Sequence, residues 1–297
     1  MALERDMTKR QPALSLIKIG LLVVAFAYFS YTLYSFSISI TSIVGYYCVY
    51  ATIGIGFRTA GGFIALATCL LYFYKKDLSK HDAVLSLRWV VIFEAMYFLF
   101  LIPSGYWGLV TSTGQFSRAL LVASTGIPCM VEGIVIPVIL AKLFWEMNPN
   151  KPAKNAVKWG LISGTAYIFV YWLNYSLIWT SALIQRGIKL VSLQPVNAFG
   201  FIITIVGLLI LAIFAAHFSW REIGRERLNA LDLKKVGLVV TAFGLYFDLT
   251  YLLGLIFGSV GGSNIWHSFF IYNNVDLWML SLPLIGAPLM RLKNKST

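Results

Sequence analysis

The chain has 297 residues, 59% of them hydrophobic and 12% charged, with a mean hydropathy of +0.77. That composition excludes a soluble globular domain. The net charge of +12 would suit nucleic acid, but the placement of the basic residues fits a membrane topology instead, so no nucleic-acid partner is expected.

Met1 to Pro12 reads as a polar leader of mixed charge. The predicted spans follow as Ala13–Phe36, Gly56–Tyr74, Ala83–Pro103, Arg118–Phe144, Val157–Thr180, Ala198–Phe218, Val236–Phe257 and Ser268–Met290. Each is close to the roughly 20 apolar residues that a bilayer requires. Ser37 to Ile55 is uncharged but irregular, and is expected as an interfacial external loop. Ser104 to Ser117, with the pair Tyr106-Trp107, and Ser181 to Asn197 are expected as further external loops. Asn148-Pro-Asn-Lys-Pro is a turn cluster. The sixth span runs into a charged extension, Arg221 to Arg227, suited to a protein partner.

Of the 24 Lys and Arg, all but Arg58, Arg118, Arg186 and Lys189 fall at the termini, in alternate loops or at the adjoining helix ends. The charge rule then places both termini in the cytoplasm. The expected class is all-α: a polytopic helix bundle in the bilayer, multi-pass, in the cell membrane.

The sequence also suggests a duplication. Phe93-Glu-Ala-Met-Tyr reappears as Phe247-Asp-Leu-Thr-Tyr, so Glu94 pairs with Asp248 and Tyr97 with Tyr251. Lys18-Ile-Gly-Leu matches Lys158-Trp-Gly-Leu, with Phe29, Tyr31 and Leu33 against Phe169, Tyr171 and Leu173. Gly56-Phe57 aligns with Gly200-Phe201, and Glu132 with Asp276. Residues 1–148 and 149–297 are thus expected as two four-helix repeats in the same orientation, a parallel arrangement.

Glu94, Glu132, Asp248 and Asp276 are the acids well inside predicted spans. Asp248 lies roughly 20 Å beyond Lys235 at the α-helical rise, and its partner Glu94 should share that depth. A carboxylate in hydrocarbon is costly and marks a functional site by default. These four are the expected cation- or proton-binding residues, since oxygen ligands suit hard cations and carboxylates between helices can carry protons. Arg88, Arg58, Tyr97, Tyr251, Asn174 and Asn274 are the supporting polar residues, with Arg58 at the outer end of the second span. The bland alternative is that each acid is protonated, caps a neighbouring helix, or pairs with Arg88 or Arg58.

The expected function is a cation- or proton-coupled transporter or channel. One alternative is a non-catalytic subunit or assembly factor of a membrane complex. Another is an intramembrane lipid or isoprenoid enzyme with paired carboxyls, which would need a lipid-sized apolar cavity reaching the acids. No cofactor is implied: His81, His217 and His267 lie at span ends or in a loop, a poor placement for haem ligands. Cys48, Cys69 and Cys129 have no paired spacing and read as free thiols. Gly160 with Gly164, and Gly254 with Gly258, have the spacing of close helix packing.

Overall fold

The computed structural model describes residues 2–41, 46–74, 80–111, 116–148, 150–151, 153–186, 206–207, 209–218, 230–258 and 281–291. Within them the chain forms α1 (Ala2–Thr41), α2 (Tyr46–Tyr74), α3 (Lys80–Thr111), α4 (Phe116–Glu146) and α5 (Ala153–Arg186). A shorter apolar helix, α6 (Leu209–Phe218), precedes α7 (Ala230–Gly258) and α8 (Pro283–Arg291). A backbone in hydrocarbon has no water to bond to, so long apolar runs close their hydrogen bonds within helices.

Three stretches, Ser15–Thr41, Val49–Tyr74 and His81–Pro103, are long and apolar enough to cross a membrane. The chain is therefore an integral, multi-pass membrane protein in contact with the lipid bilayer. Its outer surface fits that solvent. Phe26, Phe63, Ile134, Val138, Ile210 and Ile213 all point outward, while Thr32, Thr52, Arg58, Thr59 and Thr68 are buried. In water such a distribution would be inverted.

Several boundaries differ from expectation, and the differences share a cause. Ser37 to Ile55 is not an external loop: α1 runs on to Thr41 and α2 begins at Tyr46. The hydroxyls that make the stretch look irregular are absorbed by the helix itself. Ser39 Oγ donates to Ser35 O at 2.8 Å, and Thr41 Oγ1 to Ile38 O at 2.9 Å. Back-bonding of this kind satisfies a hydroxyl without water. Likewise α3 continues through Pro103 to Thr111, because the freed carbonyl that a proline leaves is tolerable inside a helix bundle. The leader from Ala2 is the first part of α1, and α5 extends to Arg186, into the expected external loop.

The helices follow one another around a ring. Neighbours in sequence from α1 to α5 pack side by side, α7 packs on α8, and α8 returns to α1. Ile168 of α5 and Ala212 of α6 share a buried cluster, and Ala215 and Phe218 of α6 pack with Val239 of α7. At the seam between α4 and α5, Glu146 accepts from Lys142 Nζ at 2.8 Å and from Asn155 Nδ2 at 3.2 Å, with Lys151 Nζ at 3.6 Å. The Lys142 bond above all holds the Glu146 carboxyl below the usual carboxylate range, against its partial burial and with help from Asn155.

Candidate functional site

Helix α2 starts ten residues earlier than its hydropathy suggests, and that moves Arg58. It does not sit at the outer end of a span. It lies roughly 14 Å along the helix from Val49, at 1.5 Å per residue, and is 7% exposed. A buried guanidinium must find acceptors, because it does not lose its proton in proteins.

Two glycines set its position. Gly54 and Gly61 lie about one turn on either side of Arg58, facing α3. A Cβ on Gly54 would come within 3.0 Å of Phe100 Cβ, and one on Gly61 within 3.2 Å of Phe93 Cβ. With hydrogens there instead, α2 lies close against α3, and Arg58 meets the face that carries Glu94 and Tyr97. Arg58 Nη2 and Glu94 Oε1 are 3.1 Å apart. The guanidinium carbon lies 4.5 Å from the centre of the Tyr97 ring, a cation–π distance.

A third group completes the arrangement. The Tyr28 hydroxyl of α1 donates to Glu94 Oε2 at 2.6 Å and accepts from Arg58 Nε at 3.3 Å. Arginine, tyrosine and carboxylate thus form a closed loop of three polar contacts drawn from three helices. The ion pair alone, at this separation and an effective dielectric near 20, is worth about 5 kcal/mol of attraction, before desolvation is subtracted.

The loop opens onto a chamber of about 260 Å³. Its walls come from α2 through α7 and from Leu282, just before α8, and they are almost wholly apolar, with Phe98, Ile136, Leu140, Val239 and Phe243 prominent. Ser163 and Thr165, which also line it, bond back to carbonyls of their own helix at 2.8 Å. Among the described residues, Arg58 and Glu94 are the charged groups on the wall. Gly160 and Gly164 also face the chamber, and a Cβ at either would meet nothing within 4 Å. Their spacing does not serve close helix packing. It leaves room.

The other expected site residues are placed as follows. Glu132, on α4, is half-buried and does not line the chamber. Asp248, on α7, is partly exposed and does not line it either. Arg88 stands apart from Glu94, its guanidinium 4.0 Å from the centre of the Phe144 ring, with no hydrogen bond to its Nε. Asn174 and Tyr251 fall within α5 and α7, but their side chains lie outside the described part of the structure. Asp276, Asn274 and the extension from Arg221 to Arg227 lie outside the described residues altogether. Among the described residues, no three His, Cys, Asp or Glu side chains gather as a metal site would require.

The sequence reading missed Tyr28. The available signal was Arg58 itself: a cation deep in a span demands acceptors, and a tyrosine on the preceding span is one. Tyr28 also shares a helical face with Thr32, which is 1% exposed. Comparison with protein-family models, with curated proteins and with solved structures finds no match.

Proposed function

We propose that the protein is a proton-coupled membrane carrier for a small, largely apolar solute, with the chamber as its binding site and Glu94 as the coupling group. The observation that carries this reading is the chamber: about 260 Å³ of apolar space inside a membrane bundle, with one ion pair on its wall. Ligand sites are commonly apolar cavities with a few convergent polar groups. The geometry favours a carrier over a cation site, because a cation approaching Glu94 would also approach Arg58.

Around that centre we place the wider expectations. The chain crosses the membrane of the cell eight times, as two parallel repeats, 1–148 and 149–297, with cytoplasmic termini. Glu132, Asp248 and Asp276 serve as further proton-binding positions. An intramembrane enzyme with paired carboxyls fits less well: of the acids among the described residues, Glu94 lines the chamber and Glu132 and Asp248 do not.

The reading is tested by flux. Proteoliposomes containing wild type, Glu94→Gln or Asp248→Asn are given an inward proton gradient and a panel of small amphiphiles. A gradient-driven uptake in wild type that is lost in Glu94→Gln is expected. Equal uptake by wild type and Glu94→Gln for every solute would remove Glu94 from the coupling role.

A further inference from the structure

The carrier reading leaves the charge of the solute open, and the trio at the chamber wall narrows it. Arg58 is fixed in the interior as a permanent cation. It needs a negative partner at all times, because an unpaired charge there is far more costly than a paired one. Among the described residues Glu94 is such a partner, and it differs from Arg58 in one respect: it can take a proton. Both groups line the chamber, so a solute held there can reach either.

We infer that the solute is a small amphiphilic anion, bound by Arg58 in place of Glu94, with Glu94 taking up one proton as the anion enters. The balance is simple. In the empty state the wall holds Arg58 positive and Glu94 negative. In the loaded state it holds Arg58 positive, the solute negative and Glu94 neutral. These groups sum to zero charge in both. The proton comes from the aqueous phase with the solute and leaves with it. No bond other than that to the proton is made or broken.

The surroundings of Glu94 are consistent with this exchange. Tyr28 on α1 and Arg58 on α2 contact it, and Tyr97 lies on its own helix. On α4, Glu132 is the further titratable group, half-buried and outside the chamber lining. Across the chamber α5 contributes Tyr167, while the parts of α6 and α7 lining the space are Ala215, Val239, Val240 and Phe243. Among the described residues, no second cation lines the wall to compete with Arg58 for the anion. The Tyr28 hydroxyl can accept as well as donate, so it can turn to follow either anion. The apolar walls take the body of the solute, beside the open space at Gly160 and Gly164.

This inference rests on the carrier reading, and the experiment separates the two. Three six-carbon probes are titrated by calorimetry into the protein in lipid nanodiscs: hexanesulfonate, hexyltrimethylammonium and hexanol, with empty nanodiscs as reference. The sulfonate stays anionic at every working pH, so a proton taken up on binding belongs to the protein. Titration in buffers of different ionisation enthalpy counts it. Wild type is expected to prefer the sulfonate, to take up about one proton per molecule bound, and to bind about tenfold tighter for each unit fall in pH while Glu94 is ionised. Glu94→Gln is expected to bind the sulfonate without proton uptake and without pH dependence. Gly160→Leu, which fills the chamber away from the charges, is expected to abolish binding of all three. Preference for the ammonium probe, or sulfonate binding without proton uptake, overturns the anion inference. Binding of all three with equal affinity overturns it too, yet leaves the chamber as a site. Binding unchanged by Gly160→Leu overturns the chamber reading itself.

Discussion

Glu94 and Asp248 have closely similar sequence surroundings, and the tertiary structure treats them differently. Glu94 is held by Arg58 and Tyr28, one from each of the two preceding helices. The alignment that pairs Phe29 with Phe169 puts Ile168 opposite Tyr28. The alignment that pairs Phe57 with Phe201 puts Ile202 opposite Arg58. Ile168 is 1% exposed and packs in an apolar cluster with Ala212. Where the first half of the chain has a tyrosine bound to an acid, the second has hydrocarbon packed on hydrocarbon. A repeated acid does not make a repeated site, because a site consists of the acid's partners as well.

The glycines divide as well, though not by halves. Gly133 in the first half and Gly237 and Gly286 in the second bring helices together. A Cβ on Gly133 would lie 2.8 Å from the backbone oxygen of Phe98, so α4 sits hard against α3 at that point. On α5, Gly160 and Gly164 face open space. The first half brings the charged pair to the chamber, and the second supplies most of its soft wall.

That contrast can be broken most directly at Arg58. Arg58→Met should destabilise the protein by about 3–5 kcal/mol, since it strands a carboxylate in the interior. Adding Glu94→Gln should recover much of the loss, because both charges are then gone. Asp248→Asn should stay within about 1 kcal/mol, as usual for a partly exposed position with no charged partner among the described residues. Thermal unfolding in detergent measures all three, and a loss at Asp248 as large as that at Arg58 would erase the contrast. Tyr28→Phe should cost about 2 kcal/mol by removing a hydrogen bond to a charged group. Ile168→Val should cost about 1 kcal/mol. The same assay ranks them.

The glycines sharpen the comparison further. Gly133→Ala should destabilise by about 1–3 kcal/mol through overpacking against a backbone that cannot yield. Gly160→Ala should be neutral or stabilising by up to about 1 kcal/mol, from helix propensity in open space. Equal losses would mean that α5 packs as tightly as α4.

The smallest expected effect lies at the seam of the halves. The depressed Glu146 carboxyl contributes stability that is present above its unfolded value of roughly 4.3 and is lost as pH falls through the folded value. Glu146→Gln should lower the midpoint of unfolding at neutral pH by an amount worth about 1 kcal/mol or less. The difference from wild type should vanish as the pH is lowered below about 4. A gap that persists in acid would assign the effect to packing, not charge.

Much of the architecture was legible. The helical class, the multi-pass character and the three spans Ser15–Thr41, Val49–Tyr74 and His81–Pro103 follow, in their approximate places, from apolar runs between basic loops. The boundaries at Ser37 to Ile55 and at Ser104 to Thr111 were not, because hydroxyl-rich stretches and a proline read as loops in water yet remain helical among helices. That error displaced Arg58 to a membrane surface and separated it from Glu94. Glu94 and Tyr97 were identifiable from an acid and an aromatic in an apolar run. Tyr28 was not, because one tyrosine among many in an aromatic-rich chain carries no mark of its partner.

By itself the sequence determined the solvent: 59% hydrophobic residues in helix-length runs dissolve in a bilayer, and a backbone in oil must coil upon itself. It also determined that a few charges lie where they are costly. Only the tertiary structure decided which charge meets which, because that depends on how closely helices distant in the chain approach, and the approach is set by a glycine facing a side chain on another helix. The same packing left a space beside Gly160 and Gly164, and no pattern along the chain distinguishes a glycine that closes a gap from one that leaves it open.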